Sequence, residues 1–473
     1  MGIGPLPPTA RVDTAGPAMH ISPHDALHAN VSAHFATGAT RPIAARLDAL
    51  RRLHAAIGAA EADLTAALHD DLGKPAFEAY TSELLHVRQE ITHVVANVQQ
   101  WAAPRRVRTN WFHWPARAAV AMEPLGAVLV LSPWNYPVQL ALVPLVSAVA
   151  AGNCVLLKPS EHAPATAAAL ERLVAAVFDP GHVRVVAGDA AVAQQLTALP
   201  WDHVFFTGST QVGRAVALAA AANLIPTTLE LGGCNPCVVE PTADVALTAK
   251  RIVWGKFLNA GQTCLAPNHL LVHETIYDPL LTALRQALTA AFGPDGTGVQ
   301  RLVNRRHFDR VAAYLTPGRV AHGGGTNPAA LRIAPTLLVD VPDQAPSLTE
   351  EIFGPILPLV PWRDEAALLG RLAAAPPPLV ITVHGRDAGF AARVRDATRS
   401  GAFVRNDHLV QATVAELPFG GVGPSGMGRS HGRAGFEAFS NPRAQFRQSP
   451  RLELPLRYPP YEGKLAWVKR LMG

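Results

Sequence analysis

Cys264 stands in the run Asn259-Ala-Gly-Gln-Thr-Cys264-Leu-Ala-Pro267. Small and polar residues precede it and a proline follows, which makes a poor core helix and a good cradle for an exposed thiol. A thiolate is the reactive form of cysteine, so such a site must lower the thiol pKa or supply a base. A buried, inert free cysteine is the commoner role. Glu230 lies in Leu229-Glu230-Leu231-Gly232-Gly233. A carboxylate on an apolar strand is costly to bury. It either pairs with a cation or, with its pKa raised by desolvation, acts as a general base. Asn135 sits in Ser132-Pro-Trp-Asn-Tyr-Pro137, just after an apolar run. Its amide can donate to a developing oxyanion, or simply form the turn.

A second group of residues suits a phosphate-bearing ligand. Val204-Phe-Phe-Thr207-Gly208-Ser-Thr-Gln-Val-Gly213 reads as strand, turn and helix start, with Thr207 or Ser209 as the cap. The glycines are not spaced as G-x-G-x-x-G. Arg214 and Ala215 after Gly213 exclude a Walker A loop, so a nucleotide kinase or ATPase is disfavoured. Lys158 ends a strand and Glu161 follows three residues on, a pair able to bond ribose hydroxyls; a snorkelling lysine is the plain alternative. Cys234-Asn-Pro-Cys237 is half of a zinc site without a second half, so no metal is expected.

These residues need elements to carry them. Between Ala127 and Val239 short apolar runs (127–131, 155–157, 183–186, 204–206, 229–231, 237–239) alternate with Ala-rich helical stretches (137–151, 163–177, 190–199, 210–222). That alternation predicts a parallel sheet covered on both faces. It resumes with helices over 245–257, 276–292 and 389–398 and strands over 269–272, 379–383 and 402–404, enough for a second α/β unit. Ahead of both, apolar spacing over 24–72 predicts two helices broken at Gly38–Pro42 and stopped by Gly73, and a third over 80–101. Residues 1–23 are predicted as a flexible tail and 450–473 as an extended arm; 294–348 is too broken by Gly and Pro to order.

At 473 residues, 49% hydrophobic and 16% charged, the chain is neither disordered nor fibrous. Its net charge of +5 comes mostly from scattered arginines rather than a basic cluster, so no nucleic-acid partner is expected. Four cysteines are too few for a disulfide framework. Residues 1–23 lack the apolar core of a signal peptide, and the run 140–152 is too short for a membrane span, so a cytoplasmic location is expected.

The motifs 132–137, 158–161, 206–213, 230–233 and 261–267, with Glu350-Glu-Ile-Phe-Gly-Pro355 and Pro418-Phe-Gly-Gly-Val-Gly-Pro-Ser-Gly-Met-Gly428, together resemble the NAD(P)-dependent aldehyde dehydrogenase superfamily. Their wording is most similar to the class 3 branch of aromatic, fatty and coniferyl aldehyde dehydrogenases. The resemblance implies an α/β fold of two doubly wound, Rossmann-like parallel-sheet domains with a small bridging β element. It implies a cofactor-binding domain over 24–106 and 122–231, a catalytic domain over 232–429 and a bridging element from 107–121 and 430–449. It further implies NAD or NADP as cofactor and a homodimer. Cys264 would be the nucleophile, Asn135 and the Cys264 N–H the oxyanion hole, and Glu230 the base for the deacylating water. Cofactor contacts would come from Lys158, Glu161, Gly208, Ser209, Gly213, Trp134, Glu351 and Phe353. An aromatic or medium- to long-chain aliphatic aldehyde would be oxidised to its acid through a Cys264 thioester. The chain departs from the family wording at Cys234, Asn268, His269, Arg405 and His408. Two alternatives stand beside this: a non-catalytic paralogue that keeps the fold, and a thiol hydrolase or redox protein using Cys264 or the Cys234/Cys237 pair.

Overall fold

The computed structural model describes residues 23–452 and 455–472. The tail predicted over 1–23 therefore lies almost wholly outside the described residues. The two predicted helices that follow are three, Pro23–Ala36, Ile43–Ala59 and Glu61–Leu72. The extra break falls at Ala60, whose N–H still bonds the Ala56 carbonyl while its backbone leaves helical geometry. Gly73 ends the third helix in left-handed backbone, donating to the His69 carbonyl.

The short apolar runs become two largely parallel sheets. One has the order Gly426–Met427, Thr227–Leu231, His203–Gly208, Ala127–Leu131, Cys154–Lys158, Val183–Val185, with the two-residue edge strand antiparallel. The other runs Arg319–His322, Thr336–Val339, Ile356–Trp362, His269–His273, Pro236–Val239, Val380–His384, Ala402–Arg405, antiparallel only at its first strand. Helices cover both faces of the first sheet, with separate buried clusters on either side. A third, antiparallel sheet joins Arg105–Val107, Arg117–Pro124 and Ser440–Arg447. The fold class implied by the resemblance is thus the one observed.

In the first sheet the strand Ala127–Leu131 lies between Cys154–Lys158 and His203–Gly208. The chain direction of the crossovers reverses at this point, and the crevice beyond the strand ends there is where open α/β sheets bind ligands. The apolar run over 140–152 is the helix Gln139–Ala151, buried at every position from Ala141 onward. It is a core helix of 13 residues, and no described helix is long and apolar enough to cross a membrane. The segment 294–348 contains the helix Arg305–Ala313 and four short strands. At the C-terminus the predicted extended arm holds the helix Lys464–Met472. The prolines stop at Pro460, and 464–472 is a run of helix-forming residues free of Pro and Gly.

Arg46 ties the N-terminal helices to this core. Its buried guanidinium donates to the carbonyls of Thr40, Arg41 and Ala150, and Gly152 leaves it room, since a Cβ there would lie 2.7 Å from Cζ. Burial pulls its pKa down to about 10, so it stays charged at neutral pH. Arg46→Met leaves three carbonyls without donors and should cost about 3 kcal/mol. Equilibrium urea unfolding followed by tryptophan fluorescence reads this directly, and an unchanged midpoint would contradict it.

Candidate active site

Cys264 opens the first turn after a strained corner. Asn259, Ala260 and Gly261 all have positive φ (52°, 54° and 73°), in left-handed backbone that costs non-glycine residues energy. The corner is held from several sides. The Asn259 N–H donates to Glu78 Oε1 at 2.9 Å, and its side-chain amide to the Asn135 carbonyl at 2.8 Å. The Ala260 N–H reaches Gln300 Oε1 at 3.2 Å. A Cβ at Gly261 would lie 2.3 Å from the Gly354 carbonyl oxygen, so only glycine fits. Downstream, Asn235 Nδ2 donates to the Cys264 carbonyl at 2.6 Å and to the Ala266 carbonyl at 3.1 Å.

The partly buried Cys264 lines two cavities. One, about 480 Å³, lies at the C-terminal ends of the first sheet. It gathers Trp134, Asn135, Gly208, Ser209, Glu230, Cys264, Glu351 and Phe353. The other, about 600 Å³ and mainly apolar, reaches Cys264 past Phe77, Tyr136, Leu140, Trp254, Leu258 and Leu265. Of the candidate site residues, Lys158, Glu161 and Gly213 do not line the first cavity. Lys158 sits beside it, its carbonyl accepting from the Ser132 N–H and its ammonium 3.1 Å from Glu161. Gly213 lets the helix Thr210–Ala222 approach its neighbouring strand, because a Cβ would lie 2.5 Å from Leu231. Ser209, not Thr207, caps that helix, accepting from the Val212 N–H.

Asn135 is buried and its Nδ2 donates to the Gln262 carbonyl at 3.0 Å, which leaves its second amide hydrogen uncommitted. Its carbonyl is fixed by the ammonium of the wholly buried Lys74 at 2.9 Å. Lys74 pairs with Glu83, which also accepts the Val138 and Gln139 N–H groups. This pair was missed in the sequence because Lys74 and Glu83 lie more than fifty residues from Asn135.

Glu230 is 4% exposed, and neither carboxylate oxygen has a hydrogen-bond partner among the described residues. Burial pushes its pKa well above the usual carboxylate range; Arg429 and Ser430 offset only part. Glu351 is pushed up to about 7 by burial, against the Gly233 N–H, Arg310 and Lys256. Its oxygens crowd Gly232, where a Cβ would lie 2.2 Å from Oε1. Cys264 is pushed up to about 12 by burial and by the charges of Glu351 and Glu230. The sequence argument expects a lowered thiol pKa or a base; around the free site the thiol is raised.

Two further residues frame the first cavity. The Trp134 ring packs 5.1 Å from His307 and 5.4 Å, edge-on, from Phe353. Arg310 holds the Glu351 and Ile352 carbonyls. Asn268, one of the departures, donates to the Ser347 and Glu350 carbonyls and accepts the Ile352 N–H, so it positions the loop bearing Glu351. The cavity suits a dinucleotide: it lies at the strand-order reversal, beside a helix N-terminus, and Glu230 and Glu351 Oε1 present unpartnered oxygens to it. Cys234 and Cys237 are both free thiols, Cys234 lining an adjoining cleft and Cys237 fully buried in the second sheet.

Residues 12–444 match the aldehyde dehydrogenase family. The chain is 38% identical to the 4,4'-diaponeurosporen-aldehyde dehydrogenase of Staphylococcus aureus, over 92% of this chain and 96% of that one. It is 41% identical to aldehyde dehydrogenase family 3 member B3 of Mus musculus, over 90% of each. A solved structure described as the substrate-bound state of Staphylococcus aureus AldH superposes with a TM-score of 0.92 at 37% identity, covering 95% of this chain and 99% of that one.

A thiol pushed up this far reacts slowly in the free protein. Alkylation of Cys264 by iodoacetamide, followed by peptide mass mapping, should accelerate roughly tenfold per pH unit between pH 7 and 10, since only the thiolate reacts. A rate that levels off near pH 7 would show a lowered pKa instead.

Proposed function

The chain belongs to the aldehyde dehydrogenase family, in its class 3-like branch, and on that premise we propose how its own residues carry the reaction. The reaction is oxidation of an aldehyde to the carboxylic acid with NAD or NADP. The observation that carries the assignment is the position of Cys264 between two cavities, one apolar and one bearing Asn135, Glu230 and Glu351. Neither the non-catalytic paralogue nor the thiol hydrolase is favoured, since the named relatives are dehydrogenases.

Cys264 loses its thiol proton to solvent, and the thiolate attacks the aldehyde carbonyl. The oxyanion of the resulting thiohemiacetal is met by Asn135 Nδ2, through its uncommitted hydrogen, and by the Cys264 N–H. Loss of hydride from that adduct leaves a thioester on Cys264. The nicotinamide cofactor, when bound, would supply the acceptor for that hydride. Glu230, held unpartnered with a raised pKa, takes a proton from water, which hydrolyses the thioester to the acid. Glu351 and Phe353 hold the nicotinamide end, with Trp134 against Phe353. Gly208, Ser209 and Gly213 form the turn beside the pyrophosphate, and Lys158 with Glu161 holds the adenosine ribose.

The apolar lining of the second cavity supports an aromatic or medium- to long-chain aliphatic aldehyde as substrate. Four free cysteines support a reducing, cytoplasmic setting. The antiparallel sheet is the proposed homodimer contact. Its strand Ser440–Arg447 lies at the sheet edge and is exposed beyond Ser440, a form that invites pairing with a second copy.

Reduced-cofactor absorbance across a panel of such aldehydes, with NAD and with NADP, tests the assignment. Cys264→Ser should abolish turnover. Asn135→Ala should lower kcat by about a hundredfold or more. Glu230→Gln should keep a burst of one reduced cofactor per site and slow every later turnover; a variant without the burst would contradict a role confined to deacylation.

A further inference from the structure

His408 is a departure from the family wording that the reaction does not use. It follows the edge strand Ala402–Arg405 of the second sheet by three residues. The neighbouring strands Val380–His384 and Pro236–Val239 pair with Thr382 opposite Cys237. Because side chains alternate along a strand, His384 falls on the same face as Thr382 and Cys237. The fold thus brings Cys237, His384 and His408 together from positions far apart in sequence. Their donor atoms all lie within 4.8 Å of one another. His384 Nε2 is 2.9 Å from His408 Nε2, and Cys237 Sγ is 3.9 Å from the same atom. Exposures are 0%, 1% and 2%, so all three polar groups are out of water. A zinc-sized cation about 2.0 Å from nitrogen and about 2.3 Å from sulfur holds its donors about 3.3–3.7 Å apart, a range that the separations of 2.9 and 3.9 Å bracket.

Two features show that the structure makes room for the cluster. A Cβ on Gly255 of the covering helix would lie 2.3 Å from His408 Cβ, so the helix has no side chain where the ring enters. The segment carrying His408 has positive φ at Asn406 (62°) and Leu409 (65°), strain for non-glycine residues on both sides of one histidine.

We propose that Cys237, His384 and His408 form a buried, three-coordinate site for one monovalent copper ion. A thiolate with two neutral imidazoles is a soft donor set that favours Cu(I). One thiolate and one monovalent ion leave no net charge in the core. A divalent ion would leave a net positive charge in that buried core, where no carboxylate joins the three donors among the described residues. A tetrahedral zinc site also wants a fourth ligand, and no fourth His, Cys, Asp or Glu joins the cluster among the described residues. Binding forms one Cu–S and two Cu–N bonds. The Cys237 thiol proton is released to solvent. The imidazole that donates in the His384–His408 contact moves its hydrogen from Nε2 to Nδ1, and no oxidation state changes. The ion would fix the start of the segment whose Leu409 and Val410 line the apolar cavity leading to Cys264.

Anaerobic titration with Cu(I) against bicinchoninate tests the site, using the Cys264→Ser chain to remove the cavity thiol. One copper per chain should be held against the competitor. X-ray absorption at the copper edge should show one sulfur and two nitrogen neighbours. Cys237→Ala and His384→Phe should each lose that copper, while the same changes made with Cys264 intact keep cofactor-dependent aldehyde oxidation. No retained copper, retention by either variant, a different ligand count, or a preference for Zn(II) in a parallel titration would each overturn the proposal.

Discussion

The corner Asn259–Ala260–Gly261 runs in left-handed backbone for three residues, two of which carry a Cβ, and the site's geometry depends on it. Such a corner persists only when its surroundings over-determine it. Here Glu78 and Gln300 fix its amides, Asn259 reaches the Asn135 carbonyl, and Gly354 presses against Gly261. The same contacts therefore set both the Cys264 turn and the Asn135 loop. Lys74 completes the knot by binding the Asn135 carbonyl while neutralising Glu83, which in turn holds the amides that begin the core helix. Breaking one partner of a buried ion pair leaves an uncompensated charge, so this cation and carboxylate are structural conditions for the site.

The electrostatics have a matching logic. Glu230 and Glu351 flank Cys264 with raised pKa values, and each raises the thiol in turn. Burial disfavours the charged form, so the folded chain binds these protons more tightly than the unfolded chain. For Glu351 the stability this confers is complete below pH 4.5 and is lost as pH rises through about 7. The site thus gives up stability at neutral pH to keep two buried carboxyl groups near a thiol, with both oxygens of Glu230 and Oε1 of Glu351 unpartnered. Such a site favours a ligand that brings positive charge, as the oxidised nicotinamide does.

Much of this was readable from residue types. Alternating short apolar runs and Ala-rich stretches specify parallel sheets, because a strand buried on both faces has no polar side to display. Cys264, Glu230 and Asn135 were conspicuous as polar groups in apolar or Gly-Pro-bound settings, and the structure brings them to one cavity. The unread part has a common cause. Lys74, Glu83, His307 and Asn235 act across long separations in sequence, and nothing in their own neighbourhoods marks them. Lys158 and Glu161 end beside the cavity rather than in its wall, since strand position sets the depth of a side chain and not its direction. The helix Lys464–Met472 was hidden by the prolines just before it.

The glycine-rich segment 418–428 shows how a motif can be recognised before its physics is understood. The segment touches the start of the helix Thr210–Ala222, where its Pro424 carbonyl accepts from Thr210 Oγ1 at 3.0 Å. It returns from the second sheet to the first as the edge strand Gly426–Met427, pairing Gly426 with Glu230 and Met427 with Leu229. A Cβ at Gly426 would lie 2.4 Å from the Leu229 carbonyl oxygen, and one at Gly420 would lie 3.2 Å from Glu230 Oε1. Side chains there would push the strand away or fill the space at the carboxylate. The segment therefore holds the strand that bears Glu230 from its open edge while leaving the carboxylate without a partner. That is the condition a general base needs: a fixed backbone and an unspent pair of oxygens.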